Sequence, residues 1–212
     1  MGDLTLSITY FDEPGPHNTE MTLERALERA RGLSIAHVVV ATDTGKTARR
    51  VLESFPRPPF TVVAVTNPPG IDLPVSSLHD YLPRFAEHRR SLEAKGVKTV
   101  PASLPSNVVV ELERAGATVR RVDWARVGAF TNADLAALDR VGVGLRVGVT
   151  VALAAHLTRA IPPGVDVITL SGTGFGGGGA DTALVVRTGA AWQDWRVLET
   201  IVRPRVSPPS EA

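Results

Sequence analysis

Val38–Glu53 reads VVVATDTGKTARRVLE: a β-branched apolar run, a polar turn with one glycine, then a helical pattern. The run predicts a strand within HVVVAT, and TARRVLESF predicts a helix with Val51, Leu52 and Phe55 turned to the core. A second apolar run, TVVAVT at Thr61 to Thr66, follows. Strands that are apolar throughout are those covered on both faces, as in a parallel sheet. Upstream, LSITYF (Leu6 to Phe11) predicts a strand and DEPGP a turn. Asn18 or Thr19 then caps a helix over Thr19 to Gly32, with Leu23, Ala26, Leu27 and Ala30 on one face. The order is β-α-β-α-β, which predicts an α/β fold of three layers: a mostly parallel sheet flanked by helices.

Further along, NPPGIDLP reads as an irregular connection, Leu78 to Gly96 as a helix despite Pro83, and VKTVPAS as a fourth strand. SNVVVELERAG suits helix or strand, and ATVRRVDW suits strand or loop. Gly144 to Ile161 is expected to be a long buried helix. VDVITLSGT and DTALVVRTG form two strands around a glycine-rich loop, and Trp195 to Val202 a last strand. One domain over residues 1–205 is expected, with 206–212, rich in proline and serine, as a fraying tail.

With 212 residues and 43% hydrophobic content the chain has enough material for a real core, and a formal net charge of +1 gives no field that would draw nucleic acid or an anionic membrane. A charged ligand must therefore be held by local groups. The absence of cysteine removes disulfides, thiolate nucleophiles and cysteine-based metal sites, which fits a cytoplasmic protein. The N-terminus has neither a basic n-region nor a long apolar run, so no signal or transit peptide is expected. The apolar stretch Val141 to Ile161 is broken by Arg146, Thr150, His156 and Arg159, short of the roughly 20 apolar residues of a membrane span.

The turn in the opening stretch carries the chemistry. A parallel strand that hands a threonine- and glycine-rich turn to a helix brings unfilled N–H groups and the positive end of the helix dipole to the carboxyl edge of the sheet. Thr42, Thr44 and Thr47 add hydroxyls, Gly45 allows close approach, and Lys46 adds a charge. The nucleotide P-loop pattern needs glycine where Val40 stands, so a P-loop NTPase is excluded. The loop is either a phosphate site or a set of threonines that cap the helix.

Ser171 to Thr182, SGTGFGGGGADT, places Gly172, Gly174 and Gly177 in a GxGxxG pattern. ADTALVV follows as a strand and not a helix, which excludes the dinucleotide fingerprint. What remains is a hairpin-like loop that closes over a ligand through Thr173, Asp181 and Thr182, or a plain connection. No catalytic group stands out. His17, His37, His79, His88 and His156 lack ligand spacing, so no metal site is expected. His156 suits a hydrogen-bonded core histidine better than a base. Asp12 and Glu13 suit an exposed turn as well as a site, and no serine occupies a G-x-S-x-G elbow. Trp192 and Trp195 suit packing on the domain or on a subunit partner, or stacking on a planar ring. Asn18 is a helix cap or a ligand contact, and Thr66, ending its strand at the same edge, completes the candidate set.

HVVVATDTGKTARRVLESFPRPPFTVVAVT resembles the C-terminal α/β domain of pyruvate kinases, in which a strand, a threonine/glycine turn, a helix, an Arg-Pro and a second strand follow in that order. FDEPGPHNTEMTLERALERA and VITLSGTGFGGGGADTALVV resemble a family of stand-alone proteins with this domain fold. The stretch from Ser103 to Val141 departs from the family pattern, and Gly176 to Gly179 reads as an expansion of a shorter loop. The resemblance implies that Thr42, Thr44, Gly45, Lys46 and Thr47 receive the phosphate of a small molecule, that flavin mononucleotide (FMN) is a possible ligand, and that the chain forms a homo-oligomer. The catalytic machinery of pyruvate kinases sits in a separate barrel of about 250 residues, which this chain is too short to hold beside its own α/β fold. Three readings follow: a module that binds a phosphorylated small molecule, an enzyme that uses bound flavin or acts on a phosphorylated metabolite, and a structural subunit.

Overall fold

The strands HVVVA, TVVAVT and DVITLS are apolar at nearly every position because helices cover both of their faces, as a computed structural model of residues 5–78, 80, 83–123, 131–173, 179–190 and 192–205 describes. The strands are β1 (Thr9–Phe11), β2 (His37–Ala41), β3 (Thr61–Thr66), β4 (Asp72–Pro74), β5 (Thr99–Pro101), β6 (Thr118–Arg121), β7 (Asp166–Ser171), β8 (Thr182–Arg187) and β9 (Arg196–Pro204). The helices are α1 (Thr19–Gly32), α2 (Lys46–Ser54), α3 (Pro83–Ala94), α4 (Ser106–Arg114), α5 (Asn132–Val141) and α6 (Val143–Leu157).

Among the described residues the main sheet has seven strands in the order β1-β9-β8-β7-β2-β3-β6. Only β8 is reversed: it runs antiparallel to β7 and β9, while the other pairings are parallel. Side chains alternate between two cores, as strand geometry requires. Val38, Val40, Val62, Ala64, Ile168 and Leu170 meet α1, α2 and α4 through residues such as Leu23, Ala26, Val51, Phe55 and Leu112. Val39, Val63, Val65 and Val167 meet α6 on the opposite face through Val149, Ala152 and Leu153. The expected three-layer arrangement is the one observed.

Several boundaries differ, each for a physical reason. The first strand begins at Thr9 and not at Leu6, because β1 is an edge strand whose ladder with β9 starts there. The third helix begins at Pro83 and not at Leu78: proline has no N–H to give inside a helix and belongs in the first turn. VKTVPAS does not extend the main sheet. Its Thr99–Pro101 pairs antiparallel with Asp72–Pro74 as a small separate ribbon, and Thr118–Arg121 takes the place beside β3. SNVVVELER is helical, with Val108 and Leu112 one turn apart and buried. The buried helix ends at Leu157 and not at Ile161, and the last strand covers Arg196–Pro204. Helix α5 was not expected from the sequence. Its capping box, in which Thr131 accepts from the Asp134 N–H and Asp134 from the Thr131 N–H, marks its start. The tail at 206–212 lies outside the described residues.

Helix α6 comes close to the sheet at two glycines. A Cβ on Gly144 would lie 2.1 Å from Thr182 Oγ1, and one on Gly148 would lie 2.8 Å from Thr169 Oγ1. Ser171 Oγ donates to Gly144 O at 2.7 Å, which pins the head of α6 to the carboxyl end of β7. Among the described residues no helix is long and apolar enough to cross a membrane.

Candidate functional site

Because all the strands of the main sheet except β8 point the same way, the carboxyl ends of β1, β2, β3, β6 and β7 and the start of β8 gather at one edge of it. Crevices at this edge are where open α/β sheets bind ligands. The turn after β2 is built from its threonines. Thr42 Oγ1 accepts from the Gly45 N–H at 3.0 Å, and Thr44 Oγ1 meets the Lys46 N–H at a long 3.5 Å. Gly45, with φ of 83°, makes the left-handed step into α2 that a glycine takes without strain. No side chain caps α2, and its first turn holds no carboxylate. The N–H groups of Thr47 and Ala48 have no acceptor within the helix. Thr42 and Thr47 are buried, while Thr44 and Lys46 are exposed. The Thr42 hydroxyl thus holds the turn, and Thr44 reaches the first N–H of the helix only at long range.

The close neighbour of Gly45 is another part of the chain. A Cβ there would lie 2.5 Å from Val108 and 3.5 Å from Leu104, so α4 and the strap before it sit directly on the turn. Arg49 holds α4 from the other side through a paired bridge to Glu111, at 2.6 and 2.8 Å. This bridge raises the Arg49 pKa and lowers that of Glu111. The strap is anchored to β3: the Leu104 N–H donates to Thr66 Oγ1 at 3.1 Å, and Asn67 Nδ2 donates to Ala102 O at 2.7 Å. Thr66 is thus beside the turn, with its hydroxyl engaged by the strap.

Two functional groups at this edge went unread in the sequence. Asp43 lies inside the turn, and burial pushes its carboxyl up to about 6. Arg121, the last residue of β6, pairs in register with Thr66 and donates from Nη2 to Leu104 O at 2.9 Å. A charged residue that ends a covered strand is the signal for Arg121. ATVRRVDW, open between strand and loop, hid it.

The second group of candidates centres on Asp181, which is fully buried. Its Oδ2 accepts from the Gly15 N–H at 2.8 Å, from Thr173 Oγ1 at 2.6 Å and from the Thr173 N–H at 3.3 Å, and its Oδ1 accepts from Thr182 Oγ1 at 3.0 Å. Burial raises the Asp181 pKa against the opposing pull of these hydrogen bonds. The carboxylate therefore fastens the turn after β1 to the β7–β8 hairpin. Thr19 Oγ1 adds a bond from the Ala180 N–H at 3.1 Å. Asn18 stands at the cap position of α1 without capping it: its Nδ2 donates to Glu13 O at 2.7 Å and braces the preceding turn. Thr173 and Thr182 also line a cleft with Gly142, Gly144, Thr200 and Arg203, on the α6 side of the edge. Gly172 directly follows β7. Gly174 and Gly177 lie outside the described residues.

Thr42, Thr44, Gly45, Lys46, Thr47 and Thr66 are thus one neighbourhood, and Asn18, Gly172, Thr173, Asp181 and Thr182 another. Both stand at the carboxyl edge. Away from it, His156 Nδ1 lies 3.2 Å from Ile161 O and its ring meets Trp195 edge-on, as a core histidine does. Trp195 is buried and donates to Gly189 O, so it packs within the domain. Asp12 and Glu13 are exposed.

The family model described as pyruvate kinase, alpha/beta domain, matches residues 20–186, well over half of the chain, and the chain belongs to that family.

Proposed function

We propose that this protein binds a phosphorylated small molecule at the carboxyl edge of its sheet, with the phosphate at Thr42–Thr47. The observation that supports this reading most is the head of α2: an uncapped helix end, free of carboxylates in its first turn, entered through a left-handed glycine and carrying the exposed Lys46. Such an end offers directed N–H donors and a positive potential to an anion. The donor set fits the phosphate end of FMN, the ligand implied by the family resemblance, and fits other phosphorylated metabolites equally. When bound, a flavin would supply redox chemistry. The chain's own residues hold and orient the phosphate.

The first test is the absorbance spectrum of the purified protein, with mass spectrometry of what denaturation releases. Flavin bands with FMN in the released fraction are the expected result for the flavin form of the proposal. A colourless protein that is stabilised by other phosphorylated metabolites moves the proposal to those ligands. No stabilisation by any phosphorylated compound, in the wild type, would overturn it. Lys46→Ala is the variant of choice, since Lys46 is exposed and its loss leaves the packing intact. Gly45→Asp is a poor test, because any side chain there meets Val108.

A further inference from the structure

We propose that Arg121 is a direct contact for the bound phosphate. The inference rests on the phosphate reading of the Thr42–Thr47 turn and adds a residue from outside it. Arg121 Nη1 is buried and has no hydrogen-bond partner, although Nη2 is engaged by Leu104 O. An arginine stays charged at any working pH, so an unfilled buried N–H on it marks a missing acceptor.

Several contacts link that arginine to the turn through Leu104. Arg121 is on the same face of the sheet as Thr66, its partner in register, and as Val119, which packs into the core beneath α2 and α4. Leu104 links the two sides: its carbonyl takes the Arg121 Nη2 bond, its N–H is held by Thr66, and its side chain lies 3.5 Å from the place of a Cβ on Gly45. With Lys46 at the head of α2, the guanidinium gives this part of the edge a second positive charge, set against the Asp43 carboxylate inside the turn. The planar guanidinium also presents neighbouring N–H groups to one phosphate, which a lysine cannot do.

The test uses the full chain, labelled with ¹⁵N, and inorganic phosphate as the probe at pH 7.5. The Arg121 side-chain resonances are followed through the titration, and affinities are measured by calorimetry for the wild type, Lys46→Ala and Arg121→Gln. The expected result is a saturable shift of the Arg121 signals with the calorimetric Kd, and a loss of affinity of about ten- to hundredfold in Arg121→Gln. If Lys46→Ala weakens phosphate binding while the Arg121 signals stay still and a folded Arg121→Gln binds as the wild type does, the Arg121 proposal is wrong and the turn survives as the site. Absence of saturable binding to the wild type removes both. Should Arg121→Gln fail to fold, the wild-type resonances decide alone.

Discussion

Asp43 sits between the threonines of the turn, and its partial burial is what raises its pKa to about 6 from 3.8. An acid that holds its proton more tightly folded than unfolded makes the native state bind more protons between those two values, so stability falls as pH rises through that window and levels off above it. Urea unfolding of the wild type and Asp43→Asn between pH 3.5 and 7 should show a steeper fall in the former than in the latter, in which Asp181, also raised by burial, still contributes. The same charge opposes an anion in the turn. Sulfate, whose charge does not change over this range, is therefore expected to bind more weakly at pH 7.5 than at pH 5, and the difference should vanish in Asp43→Asn. Asp181 is a fastening of another kind. Asp181→Ala leaves the Gly15 N–H and two threonine hydroxyls without their acceptor, with a cost of about 2–4 kcal/mol in urea unfolding. Asp43, Asp181 and Asn18 are all polar residues in turns, which is why the sequence alone left Asn18 open and passed over Asp43. Whether a turn residue faces protein or solvent depends on what chain segment lies across from it.

Helix α6 shows how an element is placed by its smallest residues. Glycines in a helix cost about 1 kcal/mol each relative to alanine, yet Gly144 and Gly148 let α6 settle on β7 and β8 with threonine and serine side chains in the space a Cβ would fill. Gly144→Ala is expected to destabilise the protein by about 1–3 kcal/mol through overpacking. Gly32→Ala, at the end of α1 with nothing within 4 Å of the new carbon, should be neutral or stabilising by up to about 1 kcal/mol. Chemical denaturation of the pair checks the contrast. The apolar run of α6 was legible as a buried helix, and its stopping point was not. Arg159 turns left-handed, with φ of 57°, two residues past the helix end. Likewise α4, with apolar residues at spacings that suit either period, became a helix because Val108 and Leu112 together reach the core over α2.

For the molecule as a whole, a ligand that binds only the folded state stabilises it in proportion to the logarithm of its concentration. At a hundredfold the Kd of the ligand the gain is about 2.7 kcal/mol. A thermal unfolding midpoint that rises with phosphate and stays put with chloride at equal ionic strength is the expected outcome, and equal shifts in both salts would count against a specific site. The homo-oligomer implied by the family resemblance is expected to give a light-scattering mass that is a multiple of 22.5 kDa. A mass of one chain would dispose of it.

The sequence by itself determined the fold class, the α1–β2–α2–β3 order and the polar, glycine-containing turn at Thr42 to Thr47. Each is written locally, in the period of apolar residues and in the residue types that a turn needs. Tertiary structure decided the rest: that Thr99–Pro101 leaves the main sheet while Thr118–Arg121 joins it, that β8 is reversed, that Asp181 fastens the turn after β1, and that Arg121 arrives beside Thr66. These depend on pairing between segments far apart in the chain. A strand of three or four residues carries too little pattern to name its neighbour, and a charged side chain does not reveal its partner until both are brought to one edge of the sheet.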